Sequence, residues 1–179
     1  MASTSSVPTR HSPALVTFHW LTVVLVFAQF VLGELMADMA DPAAKLTPLV
    51  VHMILGTLTL IVMVIRIFVR GAEAKPAPAT AGNAFLDRVG EWTHYGIYAL
   101  VILMSLSGMG IALQAGLAPA IFGTAIILPE SFGAFLSYTL HTVIAPLLGL
   151  LLLLHIGAAL YHQFMLKDNL IARMAYGKR

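Results

Sequence analysis

Apolar residues along this chain fall in long unbroken runs rather than in short periodic stripes. After a polar stretch at residues 1–12, the first run extends from Ala14 to Met36, about 23 residues. Later runs cover about 48–69, 89–113 and 132–165. A helix needs about 20 apolar residues to cross bilayer hydrocarbon, so each run predicts one membrane-spanning helix. The first run exceeds the core of a cleaved signal peptide, about 7–15 residues, although Ala37 and Ala40 follow it, and it predicts an uncleaved span. The fourth is longer than crossing requires and predicts a helix that tilts or projects into water, kinked at Pro146.

The intervening segments read differently. Leu117 to Leu128 is apolar but interrupted by Pro119 and Gly123 and closed by Pro129, too short to cross, and predicts an interfacial or re-entrant piece. Gly71 to Gly82 carries Pro76 and Pro78 among alanines and predicts a connecting loop. No internal repeat is visible. The expected fold is all-α, a transmembrane four-helix bundle spanning residues 1–179 as one domain.

Composition sharpens this picture. Charged residues make up 10% of the 179-residue chain and hydrophobic ones 59%, against about 25% charged in soluble proteins. A formal net charge of +2 offers no nucleic-acid surface, and with no cysteine the chain has no disulfide, thiolate ligand, iron–sulfur cluster or covalent haem attachment. The basic residues act as topological signals instead. Arg10, Arg66, Arg70, Lys75, Arg88, Lys167, Arg173, Lys178 and Arg179 fall on one side of a four-span arrangement and Lys45 alone on the other. By the positive-inside rule both termini are expected in the cytoplasm.

Chemistry enters with the histidines. Ionisable side chains inside a span are costly and mark functional sites, and His19, His52, His141 and His155 all lie within apolar runs. Counting from each entry point, His19 and His155 fall near the cytoplasmic face, His52 and His141 near the outer face. His141 and His155 are fourteen residues apart, almost four turns and roughly 21 Å of rise on one helix face. Imidazole suits iron, copper, nickel or zinc, so ligand type alone does not choose the metal. A lone membrane histidine serves equally as a helix–helix hydrogen-bonding group. Four that sort into two depth-matched pairs suit a bundle core holding two haems, each with two axial imidazoles. Such ligation leaves iron no open position and favours outer-sphere electron transfer. Gly56 and Gly157, beside two of the ligands, would let a macrocycle approach the backbone.

Phe18-His19-Trp20 opening the first span, His52 with Gly56 in the second, Arg66 and Arg70 closing it, and His94 with Tyr98 in the third carry a resemblance. So does the block from Leu154-His155-Ile156-Gly157 through Tyr161-His162, continued by Phe164, Lys167-Asp168-Asn169 and Arg173-Met174. From about residue 10 to 175 the chain resembles the bacterial cytochrome b561 family. The resemblance implies two non-covalent b haems, one on His19 and His155, the other on His52 and His141. It also implies electron transfer with a quinone, in the form of superoxide oxidation coupled to ubiquinone reduction.

Around these ligands, His162, His94 and Lys167 are candidate quinone contacts, and Arg66 and Arg70 candidate partners for haem propionates. His11 lies too far outside the first run to be a ligand; Trp20 and Trp92 read as interfacial anchors. Two rival functions stand beside the leading one. The chain could be the membrane-anchoring cytochrome b subunit of a larger dehydrogenase or hydrogenase. It could also be a histidine-based metal transporter, although such proteins favour repeats and midplane sites. Lys45 is the one basic group at the outer face, against Glu34, Asp38, Asp41 and Glu130, a weak field for steering an anion.

Overall fold

A computed structural model of the chain describes residues 8–124 and 126–177. Lys178 and Arg179, counted above among the basic residues, lie outside the described residues, as does Ala125 in the segment before the fourth span. Among the described residues all regular structure is helical: α1 (Pro13–Ala37), α2 (Pro42–Ala72), α3 (Ala84–Gln114) and α4 (Leu136–Tyr161). All four are long and apolar enough to cross a membrane, α4 together with the turn that prolongs it to Leu166.

The helices start where a polar side chain can satisfy the first free N–H groups. The Ser12 hydroxyl accepts from Leu15 N at 3.2 Å, with Pro13 at a position that needs no N–H. Asp41 accepts from Ala43 N at 2.9 Å at the head of α2, and Asn83 from Phe85 and Leu86 at the head of α3. These caps correct two expected boundaries. α2 begins at Pro42 rather than near Pro48, and α3 at Ala84 rather than near Val89, because their first turns carry too few apolar residues to register in a hydrophobic run. α4 starts at Leu136, later than expected, since Phe132–Phe135 close a turn through a 3.0 Å bond from Phe135 N to Phe132 O. The helix continues through Pro146.

Between α3 and α4 a short 3-10 helix (Ala118–Phe122) packs on α2 and ends at Gly123, whose φ of 77° suits glycine. α1 packs on α2 and α3 on α4, and α2–α3 contacts join these two hairpins. Val26, Met63, Ile97, Val101 and Leu148 make the buried core. Leu148 lies seven residues from both His141 and His155, so the dry centre of the bundle sits midway between the two histidine levels. Buried Thr22 and Thr59 satisfy their hydroxyls on Phe18 O and Leu55 O one turn back, each at 2.7 Å. The outer surface is apolar, with Phe27, Phe68 and Leu153 largely exposed, as lipid as a solvent requires.

Both ends of the described chain meet at one end of the bundle. His11 N donates to Arg173 O (3.1 Å), Trp20 Nε1 to Met174 O (2.8 Å), and Arg173 Nη1 to Ala77 O (2.6 Å). Trp20 is therefore tied to the C-terminal segment as well as standing at a span end. His11 and Ser12 grip the carboxylate of Glu73, which ends α2, at 2.9 and 3.0 Å. Burial pushes the Glu73 carboxyl up, but the hydrogen bonds from Ser12 and His11 together hold it below the usual range.

Candidate functional site

Two histidine pairs bridge the hairpins at two levels. His19 of α1 faces His155 of α4 with ring centres 6.4 Å apart. His52 of α2 faces His141 of α4 at 6.2 Å. α4 thus contributes one ring to each pair, and the α1–α2 hairpin supplies the other two. For a metal held axially between two imidazoles, about 2 Å per metal–nitrogen bond and about 1.1 Å from nitrogen to ring centre set the centres about 6.2 Å apart. Both observed spacings match. Among the described residues no three or more His, Asp or Glu side chains are placed to hold a bare metal ion. The histidines meet in twos, which suits an ion whose remaining ligands come from a macrocycle.

At the His52–His141 level, hydrogen bonds orient one ring and leave the other open. Ser107 Oγ gives its proton to Met104 O (2.8 Å), so the 3.0 Å contact with His141 Nδ1 must be donated by the ring. That leaves His141 Nε2 bare, the state a ligand needs, and His–donor contacts of this kind commonly orient metal ligands. Gly108 abuts the same ring, where a Cβ would stand 3.4 Å from His141 Cε1. Across the gap His52 Nδ1 is buried with no hydrogen-bond partner, an exception that in a folded protein asks for an explanation. Gly56 makes room for a side chain, correcting its expected role: a Cβ there would lie 2.9 Å from Gln29 Nε2, which donates to His52 O at 3.0 Å. No atom approaches the Cβ position of Gly157.

The His19–His155 level is richer in polar groups. Arg66, 7% exposed, donates from Nη2 to His19 Nδ1 at 2.9 Å. Its Nε is buried without a partner. Among the described residues no carboxylate pairs with it. Arg66 and Arg70 both stand over the Tyr98 ring, 5.3 and 5.9 Å from its centre, and the Tyr98 hydroxyl is also buried and unpartnered. Two guanidiniums therefore gather over one phenol ring, a concentration of positive charge that suits an anionic ligand. His94 meets His155 edge-on at 4.9 Å, closer than the spacing of the two facing pairs, and donates Nδ1–H to Gly90 O at 2.7 Å.

Past this level α4 loosens into a π-turn (His162–Leu166) and then a 3-10 turn (Leu170–Met174). His162 Nδ1 lies 2.6 Å from Asp168 Oδ2; that hydrogen bond chiefly holds the Asp168 carboxyl below its usual range. Lys167 is exposed. Nearby, a cavity of about 510 Å³ lined by Phe85, Arg88, Trp92, Thr93, Leu151 and Leu154 opens between α3 and α4. Trp92 faces outward. Reading the sequence missed Ser107 and Gln29, and gave Tyr98 and Asp168 no role beyond carrying the resemblance. A polar residue within an apolar run was the available signal for the first three, since each needs a partner once buried.

A bundle of four membrane-length helices with two inward histidine pairs defines the class of membrane b-type cytochromes. The family described as prokaryotic cytochrome b561 matches residues 10–177, and this chain belongs to it. Cytochrome b561 homolog 2 of Escherichia coli (strain K12) is 26% identical over 178 residues, covering 96% of this chain and 94% of that one. The probable superoxide oxidase CybB of Yersinia pestis is 29% identical over 179 residues, with 95% and 98% covered. Cytochrome b562 of Cereibacter sphaeroides is 29% identical over 164 residues, with 89% and 90% covered. Membership implies haem b, electron transport and oxidoreductase chemistry in a multi-pass bacterial membrane protein.

Proposed function

We propose that this chain is a di-haem cytochrome that moves electrons across the inner membrane to ubiquinone, with superoxide as the donor at the outer face. The observation that carries the reading is the matched spacing of the two rings in each of two pairs, 6.4 and 6.2 Å. His19 and His155 would hold one haem b, and His52 and His141 the other. Haem held by these histidines would supply one-electron redox chemistry, which suits an outer-sphere donor such as superoxide. The superoxide role also draws on the Yersinia relative. The histidines meeting in twos, near the ends of the bundle rather than midway, disfavour a metal transporter.

The chain's own groups divide the remaining work. Arg66 and Arg70, cations with no carboxylate beside them, would receive the propionates of the haem on His19 and His155. A guanidinium can only donate, so with Arg66 on Nδ1 the His19 proton sits on Nε2 and neither nitrogen has a lone pair free. Arg66 must therefore release His19 when the site fills, and a propionate gives it somewhere to go. Seven of the basic residues lie at the end where the chain ends meet, which supports reading that end as the cytoplasmic one. The cavity between α3 and α4, apolar with Arg88 and Thr93 on its wall, would admit the quinone from the lipid; His162, His94 and Lys167 do not line it and are candidate contacts for a head group that reaches past it.

The test is a dithionite-reduced minus oxidised spectrum of the purified protein with haem quantified as the pyridine complex, followed by superoxide-driven ubiquinol formation. Two b haems per chain, falling to one in His52→Ala or His19→Ala, is the expected result. One haem in the wild type would break a pair; none in a folded preparation would sink the reading. Two haems without superoxide-driven turnover would retain the cytochrome and remove superoxide as donor.

A further inference from the structure

The His162–Asp168 contact has no part in holding a haem, and it stands at the end of the bundle where the reading above puts quinone. His162 is seven residues beyond His155, two turns along the same face and about 10 Å further out. Its side chain is 12% exposed and that of Asp168 28%, a half-buried pair at the edge of water. The backbone is shaped to make this contact. α4 opens into a π-turn at His162, a distortion frequent at functional sites. Lys167 and Asn169, on either side of Asp168, are the positive-φ non-glycine residues among those described, at 56° and 55°. Asp168 uses its other oxygen to accept from Leu170 N at 3.0 Å. Its carboxylate is thus fixed at one oxygen and offered to His162 with the other.

Because the carboxylate accepts at Nδ1, the His162 proton that remains exchangeable toward a ligand is the one on Nε2. We propose that Asp168 is the positioning residue for His162 as proton donor in quinone reduction, an inference that rests on the quinone reading. A quinone becomes a quinol by taking up two electrons and two protons, and the assigned step is one of those proton transfers. The Nε2–H bond of protonated His162 breaks and an O–H bond forms on the carbonyl that faces it. His162 is left neutral, its Nδ1–H still on Asp168, and water at the bundle end restores the proton; the second oxygen takes its proton from water. An imidazole that carries a proton on each ring nitrogen can give up one and keep the other, which is what this step asks of it. The charges that bear on the pair from neighbouring elements are Asp87 at the start of α3 and Arg173 in the last 3-10 turn; Lys167 flanks it on its own turn.

Asp168→Asn tests this without dismantling the turn, since the amide oxygen can still accept from Leu170 N. In haem-loaded protein reduced chemically and then offered ubiquinone, Asp168→Asn should lower kcat about tenfold and His162→Ala about 100-fold, with KM little changed, and Asp168→Glu should recover part of the loss. In parallel, ¹⁵N NMR of His162 should read an Nδ1-protonated ring in the wild type that Asp168→Asn loses. A wild-type kcat in Asp168→Asn, or a slowed variant with an unaltered ring signal and no rescue by Glu, overturns the proposal. If the wild type itself reduces no quinone the functional reading fails instead, and an Asp168→Asn ring signal unlike the wild type then leaves Asp168 as positioner for another acceptor.

Discussion

At the scale of single residues, buried groups without the partners their chemistry requires stand out around the histidine pairs. Arg66 is buried without a carboxylate, its Nε unpartnered, and it occupies a nitrogen of His19. Placing a cation in such a setting is costly unless an anion joins it. Arg66 would serve the haem on His19 and His155 in two ways, as a propionate partner and as a positive charge that favours the reduced form. Arg66→Gln removes the charge while keeping a donor. A cation several ångströms from a redox centre in a protein shifts its potential by tens of millivolts at effective dielectrics near about 20. Redox titration should therefore show the potential of one haem lowered on that order and the other, held by His52 and His141, unmoved. Equal shifts in both, or none, would detach Arg66 from the His19 site. Ser107 shows the same logic at the other level, where its hydroxyl selects the His141 tautomer through a bond to Met104 O.

At the scale of elements, helix bodies were legible in the sequence and helix heads were not. Runs of apolar residues mark the bilayer-crossing part of each helix because lipid demands them there. Pro42–Thr47 and Ala84–Arg88 extend beyond those runs and are helical because of Asp41, Asn83 and Pro42, a local signal of caps and turn residues rather than hydrophobicity. Histidine depths were likewise readable by counting, whereas the partners of Ser107, Arg66 and Asp168 depend on which helix faces stand together. The joining of the chain ends was also hidden, since His11, Ser12 and Glu73 lie on segments that look like linkers. That clamp has a pH signature. Glu73 is held below the range of an ordinary glutamate, near 4.5, so its contribution is fully present above that value and is lost as pH falls through the lower folded value. Protection factors for hydrogen exchange at residues 10–16 and 170–176, taken against the intrinsic rate at each pH, should accordingly fall as pH drops from about 5 toward 3, and Glu73→Gln should lower them already at neutral pH. Asp168 is depressed too and has the same sign, so the difference between wild type and Glu73→Gln isolates the clamp. A profile identical in both proteins would assign no stabilising role to Glu73.

For the whole molecule the governing asymmetry is direction, which decides which histidine pair meets which substrate. The two ends of the bundle differ chemically. One has the chain ends, the arginines, the Glu73 clamp and the His162–Asp168 turn. The other has the 3-10 segment, Lys45 and acids on short loops. Proton uptake during quinone reduction would occur at the first, and superoxide, an anion, would have to arrive at the second against a face with little positive charge to draw it. If the orientation were reversed, superoxide would meet Arg10, Arg88 and Arg173 instead, and the steering argument would change sign. The chain has no cysteine, so single cysteines report direction with no background. Ala77→Cys lies in the α2–α3 connection and Glu130→Cys in the α3–α4 connection, both exposed. In intact spheroplasts a membrane-impermeant maleimide should label Glu130→Cys and leave Ala77→Cys untouched until the membrane is opened. That outcome sets His52 and His141 toward the outer compartment, and with it makes weak electrostatic steering a property of this cytochrome: superoxide-driven turnover should then vary little with ionic strength. The opposite labelling pattern would move the arginine-rich end outward, and the same turnover should then fall steeply as salt screens it.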